Sequence, residues 1–277
     1  MAWEKNWAQA VPVLQAFHKQ VGSGILSRFP AFIWQQESTE SGQLVGIPHP
    51  DPIQLKQLIG LDQEHQIIVD NTKRFLNNLP AHNVILYGDR GSGKSSTVKS
   101  LLHAYAPQGL RMVELPNTAL SELPNLMRYL AQQKQHFIIF IDDLSFETSE
   151  SQYKWLKAAL EGGLSPKPRN VLVYVTSNRH HLIKETFSER REDEVHPGDS
   201  IQEKLSLADR FGLTIVFSNP DQQGYLQIVE HMAHQHHINI PPQELRRMAL
   251  EWALWHNGHS GRTAKQFIDH LLDAVLD

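Results

Sequence analysis

The stretch "VILYGDRGSGKS", Val84 to Ser95, decides how the rest of the chain is read. An apolar run, Val84 to Tyr87, enters Gly88, and Gly88 to Ser95 satisfy the pattern G-x-x-x-x-G-K-[ST] in full. Glycines let a backbone wrap an anion with its N–H groups turned inward. A helix starting at the same place adds the positive end of its dipole. Lys94 supplies a point charge for the outer phosphates of a nucleotide, and the Ser95 hydroxyl can ligate Mg²⁺. The candidate nucleotide-binding residues are therefore Gly88, Asp89, Arg90, Gly91, Ser92, Gly93, Lys94, Ser95 and Ser96.

Such a loop needs an acid from a neighbouring strand to hold the metal. "FIIFIDDLSFE", Phe137 to Glu147, provides one: an apolar strand ending in Asp142 and Asp143. Asp142 is the candidate metal ligand, together with Ser95, acting through a water. Asp143 is the candidate base for the attacking water, a role that requires approach to about 3 Å. Glu147 is a second candidate acid. A helix follows, opened by a capping box at Ser149 and Gln152 and ended by Gly162-Gly163.

Outward from these motifs the pattern alternates. Short β-rich runs at Val84–Tyr87, Met112–Leu115, Phe137–Ile141, Val171–Val175 and Leu213–Phe217 are separated by helical segments. Strands alternating with helices predict an α/β fold, a five-stranded parallel P-loop NTPase core with helices on both faces. From Asp221 onward three helical stretches predict a small helical lid domain. The expected organisation is residues 1–52 as an N-terminal helical segment and linker, 53–219 as the nucleotide-binding domain, and 220–277 as the lid. In the first part Trp3, Trp7, Val11, Leu14 and Phe17 form a helical stripe, weakened by Pro12, that packs on the main domain. "GIPHPDP", Gly46 to Pro52, reads as the linker.

Composition limits the alternatives. The net charge of −4 does not suggest a broad basic face for nucleic acid, although a local patch is compatible with it. There are no cysteines, so disulfides and thiolate-metal sites are excluded, in keeping with a cytoplasmic location. No apolar run reaches the ~20 residues of a membrane span, and "MAWEKNWAQA" lacks the pattern of a secretory signal. His231, His234, His236 and His237 have no acid or cysteine placed to complete a metal site, and histidines suit a helix C-terminus. The charged stretch Ser188 to Lys204 reads as a solvated loop or as a contact with a neighbouring subunit or client.

The loop and acid pair, joined by "VYVTSNRHHL", "SLADRFGL" and "SGRTAK", resemble the AAA+ ATPases over residues 53 to 277. The resemblance implies roles for four more residues. Asn178 ends the fourth strand where the family's sensor 1 stands. Arg210 precedes the fifth strand where an arginine finger stands. Arg262 opens a lid helix like sensor 2, and Gly60 in "LIGLDQEH" lies in the loop beside adenine. "FIDDLSFE" with "EKLSLADRFGLTIVF" is most similar to a bacterial family of ATP-binding proteins classed as a domain of unknown function (number 815). The resemblance implies ATP and Mg²⁺ as cofactors, ATP hydrolysis, a nucleotide-dependent homo-oligomer and a protein client. Its wider similarity is to replication initiators and loaders, which is the rival reading. A small-molecule kinase is a second rival. The departure from the family pattern is Asp143, where hydrolysing members carry glutamate.

Overall fold

The computed structural model describes residues 24–38, 41–144, 150–161, 167–178, 210–256 and 258–276. The Trp3–Phe17 stripe, Glu147, the Ser149 box, Gly162-Gly163 and the Ser188–Lys204 stretch lie outside the described residues. In chain order the elements are α1 (Ile25–Arg28), β1 (Ala31–Ser38), β2 (Ser41–Ile47), α2 (Asp62–Leu76), β3 (Val84–Gly88), α3 (Lys94–Tyr105), β4 (Leu110–Glu114) and α4 (Leu123–Ala131). They continue with β5 (His136–Ile141), α5 (Glu150–Glu161), β6 (Val171–Asn178), β7 (Leu213–Phe217), α6 (Gln222–Gln235), α7 (Pro242–Trp255) and α8 (Gly261–Leu276).

Among the described residues, seven strands form one sheet in the order β2-β1-β4-β5-β6-β3-β7. Every pairing is parallel except that of β1 with β2. The five expected strands are all present, and the count of five is corrected by two. Residues 31–47 are not linker or helix: they form an antiparallel hairpin whose first strand pairs with β4. The sheet therefore extends across the boundary drawn at residue 52. The physical reason is burial. Phe32 and Trp34 share one face of β1, and Leu44 faces Trp34 from β2; all three are buried in the core under α4 and α5. Gly42 leaves room for the indole, since a Cβ there would lie 2.4 Å from its ring carbons.

The inner strands β5 and β6 are buried on both faces, as a covered parallel sheet requires. Their side chains alternate between two cores. Ile139, Ile141, Val173 and Val175 meet Leu126 and Leu130 of α4 and Leu156 and Leu160 of α5. Ile138, Phe140, Leu172 and Tyr174 meet Ile68 and Phe75 of α2 and Val98 and Leu101 of α3. The stripe Ile68, Asn71, Thr72, Phe75 is what places α2 on that face.

Helices α6, α7 and α8 enclose a third core of their own, built on Tyr225, Val229, Leu245, Ala249, Ala264 and Phe267. The Tyr225 hydroxyl donates to the Ala249 carbonyl at 3.1 Å, tying α6 to α7. No helix among the described residues is long and apolar enough to cross a membrane.

Candidate functional site

Because β5, β6 and β3 are neighbours and parallel, their carboxyl ends meet along one edge, the usual ligand edge of an open α/β sheet. Gly88 at the end of β3 pairs with Asn178 of β6 on one side and Phe217 of β7 on the other. A Cβ at Gly88 would lie 1.7 Å from the Phe217 carbonyl oxygen, so only glycine keeps this register. Gly93 has φ +97 and serves as the N-cap of α3, which starts at Lys94.

The Lys94 side chain folds back into the loop. Its Nζ donates to the carbonyls of Gly88 (2.9 Å) and Asp89 (2.7 Å), with longer bonds to Asn178 Oδ1 (3.4 Å) and Ser92 Oγ (3.5 Å). Burial pushes the Lys94 ammonium below its ordinary range; Asp143, Asp89 and Asp142 oppose that shift, and Arg262 adds to it.

The acids are tied into a short network. Asp142 Oδ1 accepts from Ser95 Oγ and from Thr176 Oγ1, both at 2.6 Å. The same Thr176 oxygen accepts the Asp143 N–H at 2.9 Å. Asn178 Nδ2 donates to Asp143 Oδ1, so Asn178 bridges Lys94 and Asp143. Asn117, just past β4, donates to the carbonyls of Asp142 (3.1 Å) and Asp143 (3.3 Å). Asp143 itself is left-handed, with φ +51.

These groups open into a cleft of about 820 Å³ between the sheet edge and the helical unit. Its lining includes the polar groups of Lys94, Ser95, Asp142, Asp143, Thr176 and Asn178 and the apolar side chains of Ile53, Ile59, Leu61, Ile228 and Met232. The loop touches the start of α8 directly: a Cβ at Gly91 would come 2.9 Å from Ser260 Oγ and 3.2 Å from Arg262 Cβ. Arg262 and Lys265, one helical turn apart, both line the cleft.

Of the candidate residues, Arg90, Gly91, Ser92, Gly93, Lys94, Ser95, Ser96, Asp142, Asp143, Asn178, Gly60 and Arg262 line this one cleft. Arg210 does not. It pairs with Glu161 at the end of α5, Nη2 to Oε1 2.9 Å. Glu147 lies outside the described residues. Thr176, Asn117 and Lys265 were not among the candidates. For Thr176 a signal exists, since it stands two residues before Asn178 and strand alternation puts both on one face. Lys265 is three after Arg262 on a helix, a spacing that shares a face.

A family model described as "Protein of unknown function (DUF815)" matches residues 27–275. Among solved structures, the RuvB Holliday junction branch migration motor of Thermotoga maritima superimposes with a TM-score of 0.53 at 13% identity, covering 80% of this chain and 65% of that one. A single-substitution mutant of the same motor gives 0.55 at 14% identity, covering 80% and 66%. The shared fold is that of the AAA+ P-loop proteins. The acetoin catabolism regulatory protein of Cupriavidus necator is 26% identical over an alignment of 184 positions that covers 58% of this chain and 26% of that protein. The chain thus spans about a quarter of that relative and just under two thirds of the RuvB chain.

Proposed function

This chain belongs to the family described as protein of unknown function (DUF815), and we propose that it binds Mg-ATP in the cleft, hydrolyses it slowly, and uses the two nucleotide states to assemble and to switch or remodel a protein partner. The observation that carries the reading is the convergence, on one cleft, of a buried lysine in a glycine loop with an acid already hydrogen-bonded to the loop's serine.

The donor set fits the proposed cofactors. Backbone N–H groups of Gly91 to Ser95 at the head of α3 suit phosphate oxygens. Ser95 gives its proton to Asp142, which leaves its lone pairs for a hard cation. Asp142 and Ser95 would hold Mg²⁺, and Lys94 and Arg262, which both line the cleft, would meet the outer phosphates. The apolar lining of Ile53, Ile59, Ile228 and Met232, with Gly60, would take the base.

Bound Mg-ATP would supply a γ-phosphoryl group that water attacks, with the bond to the β-phosphate breaking and ADP as the leaving group. Asp143 accepts the proton of that water at its carboxylate, and Asn178 sets the orientation of that carboxylate through Nδ2. Aspartate is one methylene shorter than the glutamate used by hydrolysing relatives, so slow turnover is expected.

The test is calorimetric titration of ATP with Mg²⁺ into the wild type and Lys94→Ala, with light scattering in the presence of an ATP analogue, ADP or neither. Binding lost in the variant, and a larger species with the analogue alone, support the reading. Equal affinity in both proteins removes the loop assignment. One mass under all three conditions removes nucleotide-driven assembly.

A further inference from the structure

We infer that Thr176 is a positioning residue that fixes the cation-holding acid and the proton-accepting acid as a single unit. The inference rests on the Mg-ATP reading above and adds to it a residue that the motif pattern does not include.

Thr176 lies near the end of β6, a strand that is apolar from Val171 to Val175, and it is 1% exposed. Burying a hydroxyl is costly unless it is hydrogen-bonded. A valine would fill the same space in a strand at no polar cost, so packing does not explain the threonine.

A hydroxyl has one proton and two lone pairs. Here the proton goes to Asp142 Oδ1 and a lone pair receives the Asp143 N–H. With Ser95 donating to the same oxygen, Asp142 Oδ1 is held by two hydroxyls, which leaves Oδ2 to a cation or to its water. On the other side, the left-handed backbone at Asp143 is an unfavourable conformation for a residue with a side chain. Its N–H is held by Thr176 and its carbonyl by Asn117. That turn aims the carboxylate at Asn178. A single oxygen therefore joins the ligand of the cation to the backbone that orients the base. Removing it would loosen both, while the phosphate loop and Lys94 would keep their own bonds.

The experiment compares wild type, Thr176→Val and Thr176→Ser. Calorimetry measures ATP affinity in EDTA and across a Mg²⁺ titration. Steady-state kinetics separate kcat from KM. Amide hydrogen exchange follows the Asp143 N–H in the metal-free protein. For Thr176→Val the expectation is unchanged ATP affinity in EDTA and a Mg²⁺ requirement raised ~10–100-fold, the usual effect of losing a group that orients a metal ligand. kcat should fall about tenfold or more with KM little changed, and the Asp143 amide should exchange faster. Thr176→Ser should restore all three to within a few-fold.

A valine variant with wild-type Mg²⁺ dependence and wild-type exchange overturns the role of Thr176 and leaves the Mg-ATP reading standing. A serine variant as defective as the valine one overturns it too. If Thr176→Val does not fold, Thr176→Ala takes its place; loss of the fold in both makes the hydroxyl structural and ends the proposal. If the wild type binds no ATP with or without Mg²⁺, the Mg-ATP reading itself falls and takes this proposal with it.

Discussion

Asp143 stands where the resemblance leads one to expect glutamate, and its backbone offers a reason. At φ +51 the residue is left-handed, a region in which Asp and Asn are several-fold enriched over other side chains. Glutamate lacks the short polar arm that makes this conformation tolerable. Asp143→Glu is therefore expected to lower stability by ~1 kcal/mol, about the cost of a left-handed residue without such help, and not to speed turnover. Asp143→Asn keeps the conformation and should keep ATP binding, while hydrolysis slows by ~10²–10⁴, the usual contribution of a positioned base. Denaturation midpoints and ATPase rates on the two variants decide the matter; a fast, fully stable glutamate variant would sink this account. Lys94→Ala should weaken ATP binding at least about tenfold, because a hydrogen bond to a charged group is worth roughly 1.5–3 kcal/mol; calorimetry reads it directly. At this scale the sequence was informative wherever spacing along the chain carries the chemistry. Lys94, Ser95 and Asp142 are of that kind. Strand alternation could have placed Thr176 on the face of Asn178, but the bonds that Thr176 and Asn117 make were not legible, because their partners lie 34 and 25 residues away, across strands whose register no local pattern specifies. The handedness of Asp143 depends on the same distant bonds.

Among elements, the strongest departure from expectation is the β1–β2 hairpin. The alternation Phe32, Trp34 was present in the sequence, but it covers only a few residues and is followed by a polar run, "QQEST". What makes it a strand is the free edge of β4, which supplies a parallel partner and a core for the indole. The inner strands were legible because burial on both faces makes them continuous apolar runs. Trp34→Ala should cost ~3–5 kcal/mol, the range for emptying a buried aromatic site, and urea denaturation would measure it; a cost below about 1 kcal/mol would mean that the hairpin adds little to the core. Two histidines attach α2 to its surroundings. His65 meets Thr97 of α3 at 3.2 Å, and the His136 ring packs edge-on against Phe75. Burial lowers both below the usual 6.5, at His65 against the opposing pull of Asp62 and Glu64. The unfolded chain then takes up protons first as pH falls. Their contribution is intact above 6.5 and is lost as pH drops from 6.5 through the lowered folded values. A His65→Gln, His136→Gln variant should lose less stability than wild type between pH 7.5 and pH 5.5. Equal losses in thermal midpoint would show that these rings are not responsible.

On the scale of the whole molecule, the cleft lies between two separately built cores: Leu55 and Leu61 pack on the sheet core and Ile59 on the helical one, and the loop at Gly91 closely approaches the start of α8. Arg210 lies away from that cleft, just before β7 on the sheet edge, where a neighbouring subunit could reach it. Its present partner is weak competition. The Arg210 and Glu161 side chains are 45% and 35% exposed, and an ion pair so open to solvent is worth only about 0–1 kcal/mol. A γ-phosphate presented by a second subunit would offer several charged oxygens to a guanidinium that is always charged and forks toward them. In the proposed assembly, exchanging Glu161 for that phosphate would be favourable, and an arginine used in this way can be worth ~10³–10⁵ in rate. Two linked outcomes follow. ATPase activity per subunit should rise with protein concentration, and Arg210→Ala should bind ATP nearly as wild type while hydrolysing it poorly. Glu161→Ala, which frees the arginine without removing it, should leave activity equal or higher. The decisive measurement mixes Arg210→Ala with Lys94→Ala. Each is inactive alone, yet a mixed assembly contains interfaces in which an intact phosphate loop faces an intact arginine. Activity recovered on mixing supports an arginine acting between subunits. Co-assembly demonstrated by light scattering with no recovery of activity would reduce Arg210 to the surface ion pair it makes with Glu161.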